Sequence, residues 1–219
     1  MEYTNEIKRL RARIPIGINR AEKLLLETRG DVLLAERIFT ESMVRLFMEK
    51  ELPDRDRAVS YLEQTNYDLG AALRKSESDR YSITELCLRK NCKKEDALDK
   101  ILCAMETKYN YSFWLCWEKK DIPPLNTSEY TFVVIMEWIN YESWEGDLVI
   151  SERIAKACRE LNFNELADLL DRVISRKKKV ETIWEDRFYR LLERVFLRRK
   201  ADLTERLYEF VKERIRDFP

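Results

Sequence analysis

The feature that most limits what this chain can fold into is a repeat in its first 80 residues that survives a rigid shift of 37 positions. Arg20, Ala21, Leu25, Thr28, Asp31 and Ala35 become Arg57, Ala58, Leu62, Thr65, Asp68 and Ala72, the same six residue types. A short unit used twice buries its apolar face against its neighbour. Repetition at this length therefore predicts small helical units and a binding module rather than a catalytic centre.

Each unit reads as three helices. Ile7, Leu10 and Ile14 fall at i, i+3 and i+7 on a first helix, with Lys8, Arg9, Arg11 and Arg13 on its other faces. Pro15 and Gly17 break the chain in the loop IPIGI. A second helix over 18–28 carries Ala21, Leu24, Leu25 and Thr28 on one side. Gly30 can take the left-handed turn that ends it, and Asp31 can cap a third helix bearing Val32, Leu34, Ala35 and Ile38. The alanines predict close helix crossings. In the second unit Val44 and Phe47 take the places of Ile7 and Leu10, Pro53 breaks the chain, and Asp54 caps the next helix. Leu62, Thr65, Asp68, Ala72 and Leu73 complete it. No linker separates the units, because VLLAERIFTESMVRLFMEKEL is one continuous helical pattern from Asp31 to about Leu52. One long helix then ends the first unit and begins the second, which makes the pair a rigid body.

The stretch IKRLRARIPIGINRAEKLLLETRGDVLLAERIF resembles the three-helix ubiquitin-associated (UBA) fold, most closely the variant at the amino terminus of elongation factor Ts. Leu10, Arg11, Gly17, Ile18, Leu25, Gly30, Asp31 and Ala35 sit in register with that pattern. Ile14 and Pro15 replace its threonine and first glycine, and in the second copy, YLEQTNYDLGAAL, Tyr67 replaces the glycine. The resemblance spans about residues 5–78. The core-domain signature T-D-F-V of elongation factor Ts is absent, so no nucleotide-exchange role is implied. UBA-type domains bind proteins through the loop between helices one and two plus the end of helix three. The resemblance thus implies a partner surface at Ile16, Gly17, Ile18, Ile38 and Phe39. An apolar Ile16 in a short loop agrees with such a patch. The competing expectation is that Ile16 and Phe39 pack on the carboxy-terminal half of the same chain, since the second unit has no comparable apolar loop.

Composition narrows the remainder. Four glycines and five prolines in 219 residues are too few for the turns of a sandwich or barrel, while 45% hydrophobic and 37% charged residues describe a charged, helical globular chain. No segment approaches the roughly 18 apolar residues of a membrane span, and the amino terminus lacks the apolar core of a secretory signal, so a cytoplasmic location is expected. The five cysteines are widely spaced; Cys87 and Cys92 lie one helical turn apart, but there is no second pair nearby and no histidine in the chain. Reduced thiols without a metal are expected. The absence of histidine removes the commonest general base, and no glycine-rich phosphate loop, nucleophile elbow or calcium loop occurs. No catalytic residue, metal or cofactor is assigned, and the chain is expected not to be an enzyme.

From residue 82 the pattern predicts further helices, including a buried one over YTFVVIMEWINYESWEGD and others over 151–161, 164–175, 178–199 and 202–217. Trp138, Tyr141 and Trp144 at i, i+3 and i+6 form a candidate aromatic patch for a peptide or sugar, although rings at helical spacing more commonly face a core. Glu137, Glu142 and Glu145 beside them are the weakest alternative, a carboxylate enzyme. Charge is segregated within a chain of zero net charge. Residues 118–152 carry eight acids and two bases, and residues 176–200 carry ten bases and four acids. Lys177, Lys178, Lys179, Arg198 and Arg199 are the candidate nucleic-acid contacts. Docking of this basic stretch on the acidic one, or plain solvation, is the preferred reading. The expectation is an all-α protein: a tandem UBA-like module over 1–80 (units about 5–40 and 42–78), then a helical bundle over 81–219. Its expected role is that of an adaptor binding a protein partner, with nucleic-acid association the alternative and no membrane contact.

Overall fold

The computed structural model describes residues 2–177 and 187–219 except 52, 92, 117, 118, 120, 146 and 147, with backbone alone at 143–145 and 177. Among the described residues the regular elements are eleven α-helices and a 3-10 turn, without a strand. The chain divides into two units, Met1–Arg80 and Tyr81–Pro219.

The first unit comprises α1 (Thr4–Arg13), α2 (Ile18–Glu27), α3 (Val32–Lys50), α4 (Arg55–Gln64) and α5 (Leu69–Arg80). The repeat holds at the level of single hydrogen bonds. Thr28 Oγ1 donates to the Leu24 carbonyl at 2.9 Å, and Thr65 Oγ1 to that of Tyr61 at 2.9 Å. The N–H of Gly30 reaches Leu25 O at 2.8 Å, and that of Tyr67 reaches Leu62 O at 2.6 Å. Asp31 Oδ1 accepts from the N–H groups of Leu33 and Leu34, and Asp68 Oδ1 from that of Ala71. The two turns differ where their residues differ. Gly30 adopts φ 81° at little cost, whereas Tyr67 adopts φ 60°, a left-handed conformation that costs an L-residue about 1 kcal/mol. Packing of the Tyr67 side chain on the core of its unit offsets that strain.

That core contains Leu10, Ala21, Leu25, Ala35, Phe47, Ala58, Leu62 and Ala72, all fully buried. The alanine pairs 21/58 and 35/72 recur at equivalent points, where a larger side chain would hold the helices apart. The long α3 serves both repeats: Phe39 lies beneath the Arg20 guanidinium of α2, and Phe47 stacks on Tyr61 of α4 at 5.9 Å.

The second unit comprises α6 (Ile83–Lys90), α7 (Lys94–Tyr109), α8 (Thr127–Glu145), α9 (Glu152–Glu160), α10 (Asn164–Lys177) and α11 (Arg187–Glu213). The β-branched run of α8 is helical as expected, and residues 131–139 are all buried, so α8 is the central helix of this unit. The two helices expected at 178–199 and 202–217 need correction: 187–213 is one helix of 27 residues, followed by the 3-10 turn Ile215–Asp217. The sequence around Ala201 holds no glycine or proline to break it. The remainder of the expected helix, 178–186, lies outside the described residues.

The carboxy terminus is tied into this bundle. Asp217 accepts from Ser128 Oγ at 2.6 Å at the start of α8, and the Pro219 carbonyl accepts from the Thr84 N–H at 2.8 Å. Phe218 meets Phe132 edge to face at 5.5 Å.

Candidate protein-docking site

Because α3 buries Ala35, Phe39, Met43, Val44 and Phe47, its opposite side stays open to solvent. That side, with the start of α4, forms a groove of about 740 Å³ lined by Arg37, Ile38, Glu41, Ser42, Arg45, Met48, Glu49, Pro53 and Arg55. Ile38, Met48 and Pro53 supply its apolar surface, and the aliphatic stems of the arginines extend it. Glu41 pairs with Arg55 across the groove at 2.6 Å, which lowers the pKa of its carboxyl through hydrogen bonding and charge. Of the nine large apolar residues exposed among those described, five lie between positions 18 and 38: Ile18, Leu26, Leu33, Leu34 and Ile38. Exposed apolar surface is thus concentrated on the amino-terminal unit.

The sequence-derived surface is only partly reproduced. Ile18 and Ile38 are exposed, at 43% and 40%. Ile16 and Phe39 are core residues of their own unit, at 5% and 3%, so neither presents its side chain to a partner. Ile16, Gly17 and Phe39 do meet, around a smaller cavity of about 320 Å³ shared with Arg20, Met43 and the turn Tyr67–Gly70 of the second repeat. The first repeat's loop therefore faces the second repeat's turn. The groove residues Arg37, Glu41, Arg45 and Glu49 escape a search for apolar loops. Their signal in the sequence is an alternation of charge every fourth residue along the shared helix.

In the second unit the aromatic patch resolves into core and rim. Trp138 is fully buried, donates its ring N–H to Val149 O at 3.1 Å and packs on Phe196 of α11 at 4.4 Å. Tyr141 is half-buried against Trp114 at 5.9 Å, and the side chain of Trp144 lies outside the described residues. The basic helix does dock on the acidic one: besides the Trp138–Phe196 contact, Lys200 donates to Glu142. Of the candidate nucleic-acid contacts, Arg198 is exposed, while Arg199 pairs with Asp202 at 2.8 Å. Lys178, Lys179 and the side chain of Lys177 lie outside the described residues. Burial pushes the thiols of Cys116 and Cys158 up to about 12, which makes them poor nucleophiles. No helix among the described residues is long and apolar enough to cross a membrane.

Two buried carboxyls of α8 have contrasting surroundings. Glu129 is saturated, accepting from Lys108 Nζ and Tyr109 Oη, each at 2.8 Å, and from the Asn126 N–H at 3.1 Å. The backbone N–H of Leu115, a residue at φ 55°, favours the charged form of Glu137, whose Oε2 has no hydrogen-bond partner among the described residues. Glu106, which accepts the Phe113 N–H at 3.0 Å, and Arg153, which donates to Cys116 O at 2.8 Å, hold the segment after α7. Glu137 itself is 3% exposed. Burial, then the nearby charge of Glu106, raises its pKa from 4.5 to about 7, with Lys119 opposing and Asp99 adding to the rise.

The chain belongs to the YfbN C-terminal domain family, which matches residues 82–216 and so coincides with the second unit. Uncharacterized protein YfbN of Escherichia coli (strain K12) is similar over both units, with 32% identity over 232 residues covering 100% of this chain and 97% of that protein. No solved structure matches the chain.

The Glu137 environment has a measurable consequence. Between about pH 4.5 and 7 the folded protein holds a proton at Glu137 that the unfolded chain has released, so stability falls as pH rises through this window. The loss approaches roughly 3 kcal/mol above it. Glu137→Gln keeps the side-chain shape and removes the charge. In urea denaturation this variant should exceed wild type by about 1–3 kcal/mol near pH 8 and match it near pH 5. Equal stability at both pH values would contradict the assignment.

Proposed function

We propose that this chain is a non-enzymatic protein-interaction protein whose amino-terminal unit acts as a pair of UBA-like repeats and receives a helical segment in the groove on α3. The observation that carries this reading is the groove itself, an apolar trough formed by Ile38, Met48 and Pro53 on an otherwise charged helix face. Such a trough suits helix-in-groove recognition, with apolar anchors at i and i+3 or i+4. Because both signs of charge border it, at Arg37, Arg45 and Glu49, the incoming helix carries acids and bases on either side of its anchors. The sequence resemblance to protein-binding UBA domains supports the same class of activity.

A photo-crosslinking phenylalanine derivative placed at position 48 in the full chain, in its own cells, tests the reading. An adduct to an amphipathic helical segment is expected. It should disappear when Ile38→Asp is added and be absent when the probe sits at position 23, on exposed α2 surface. No adduct, or the same adducts from position 23, would overturn it.

One observation favours a second reading, nucleic-acid association through α11. Arg187, Arg190, Arg194 and Arg198 share one exposed face of that helix over about 16 Å and form no ion pair among the described residues. Arginine suits phosphate because its planar fork binds two oxygens at once. Leu191 and Leu197 border the row, which leaves the ridge between them cationic. Four contacted phosphates predict a slope of about −3.6 for log K against log salt on a short DNA duplex, falling to about −1 in Arg190→Ala/Arg194→Ala/Arg198→Ala. Absence of binding at low salt, or an unchanged slope, would rule it out.

A further inference from the structure

We propose that the segment received by the α3 groove is α3 of a second copy of this chain, packed antiparallel; this rests on the docking reading above and names its partner. The argument begins with the charged row Arg37, Glu41, Arg45 and Glu49, all exposed and spaced by four residues. Residues at this spacing form one of the two natural ridges of a helix, inclined to its axis by about 26°. The row alternates in sign and has an even number of members, so it is its own antiparallel complement. With a two-fold axis level with position 43, Arg37 faces Glu49 of the second copy and Glu41 faces its Arg45. A parallel partner in the same alignment would set like charges opposite each other. Aligning two such ridges antiparallel gives a crossing angle of about 50°, the commonest class of helix packing. The interface is isologous and closes at two copies.

The charges are available for this purpose. Alternating charge on a helix ordinarily signals pairing along the helix itself. Here, among the described residues, Arg37, Arg45 and Glu49 form no ion pair, and Glu41 directs Oε1 across the groove to Arg55. Its second oxygen remains for Arg45 of the other copy. Ile38 and Met48 lie on either side of the row, where the aliphatic stems of the facing row would cover them. Arg37 to Glu49 spans about 18 Å of α3, enough for a small interface and a reversible dimer.

Charge reversal tests the register. Sedimentation velocity of the full chain should show concentration-dependent dimerisation. Arg37→Glu and Glu49→Arg should each weaken it about tenfold, because each reverses two symmetry-related pairs. The double variant Arg37→Glu/Glu49→Arg restores both pairs and should dimerise like wild type, and so should an equimolar mixture of the two single variants. These residues are exposed, so folding, followed by circular dichroism, should not change. A chain that stays monomeric, single variants that dimerise unchanged, or a double variant that fails to recover would each overturn the proposal. The docking reading fails separately: a crosslink from position 48 to a different protein would leave that reading standing and refute this one.

Discussion

The structure of the amino-terminal unit depends on one constraint: two repeats share a single helix. α3 must supply the third helix of one repeat and the first helix of the next, so it buries Ala35 and Phe39 at one end and Val44 and Phe47 at the other. Those obligations consume one side of the helix. The opposite side carries Ile38 and the charged row, which stay exposed; Glu41 there pairs with Arg55 of α4, and Met48 at its edge packs on the core. A linker would have let each repeat find its own packing; a shared helix leaves a free face on a rigid support. Binding sites on rigid elements lose less conformational entropy when occupied, which suits this face for recognition.

The second unit meets a different demand. α8 is apolar on all sides and must be surrounded, and α7, α9 and α11 pack on it. Enclosing it also encloses two glutamates. Glu129 is stabilised by three donors, whereas Glu137 Oε2 has no partner among the described residues and the group is held nearer its neutral form. The charge segregation of the sequence has a similar structural component, with Lys200 of the basic helix seated on Glu142 of the acidic one.

Local chemistry made much of the fold legible. Asp31, Asp68 and the threonines at 28 and 65 act through bonds spanning three or four residues, so a shift of 37 in the sequence reappears as the same bonds in the structure. The continuity of α3 and the helical state of α8 were readable for the same reason. Long-range features were not. Nothing near Ile16 shows that its loop will turn inward beside the second repeat, and nothing near Glu137 shows that it will be buried close to Glu106. The aromatic spacing of Trp138 fits a ligand face as well as a core, and only the approach of Phe196, 58 positions away, decides between them. The groove was missed because its openness depends on which stripe of α3 the two repeats consume.

The shared helix is the central claim, and hydrogen exchange of the full chain followed by mass spectrometry tests it most directly. Leu62→Ala removes a fully buried side chain from the second repeat and should destabilise it by about 2–5 kcal/mol. If α3 couples the repeats, amides in α1 and α2 lose protection together with those in α4 and α5, while residues 81–219 exchange as in wild type. Unchanged protection of α1 and α2 would mean that the repeats open independently, and would contradict the account.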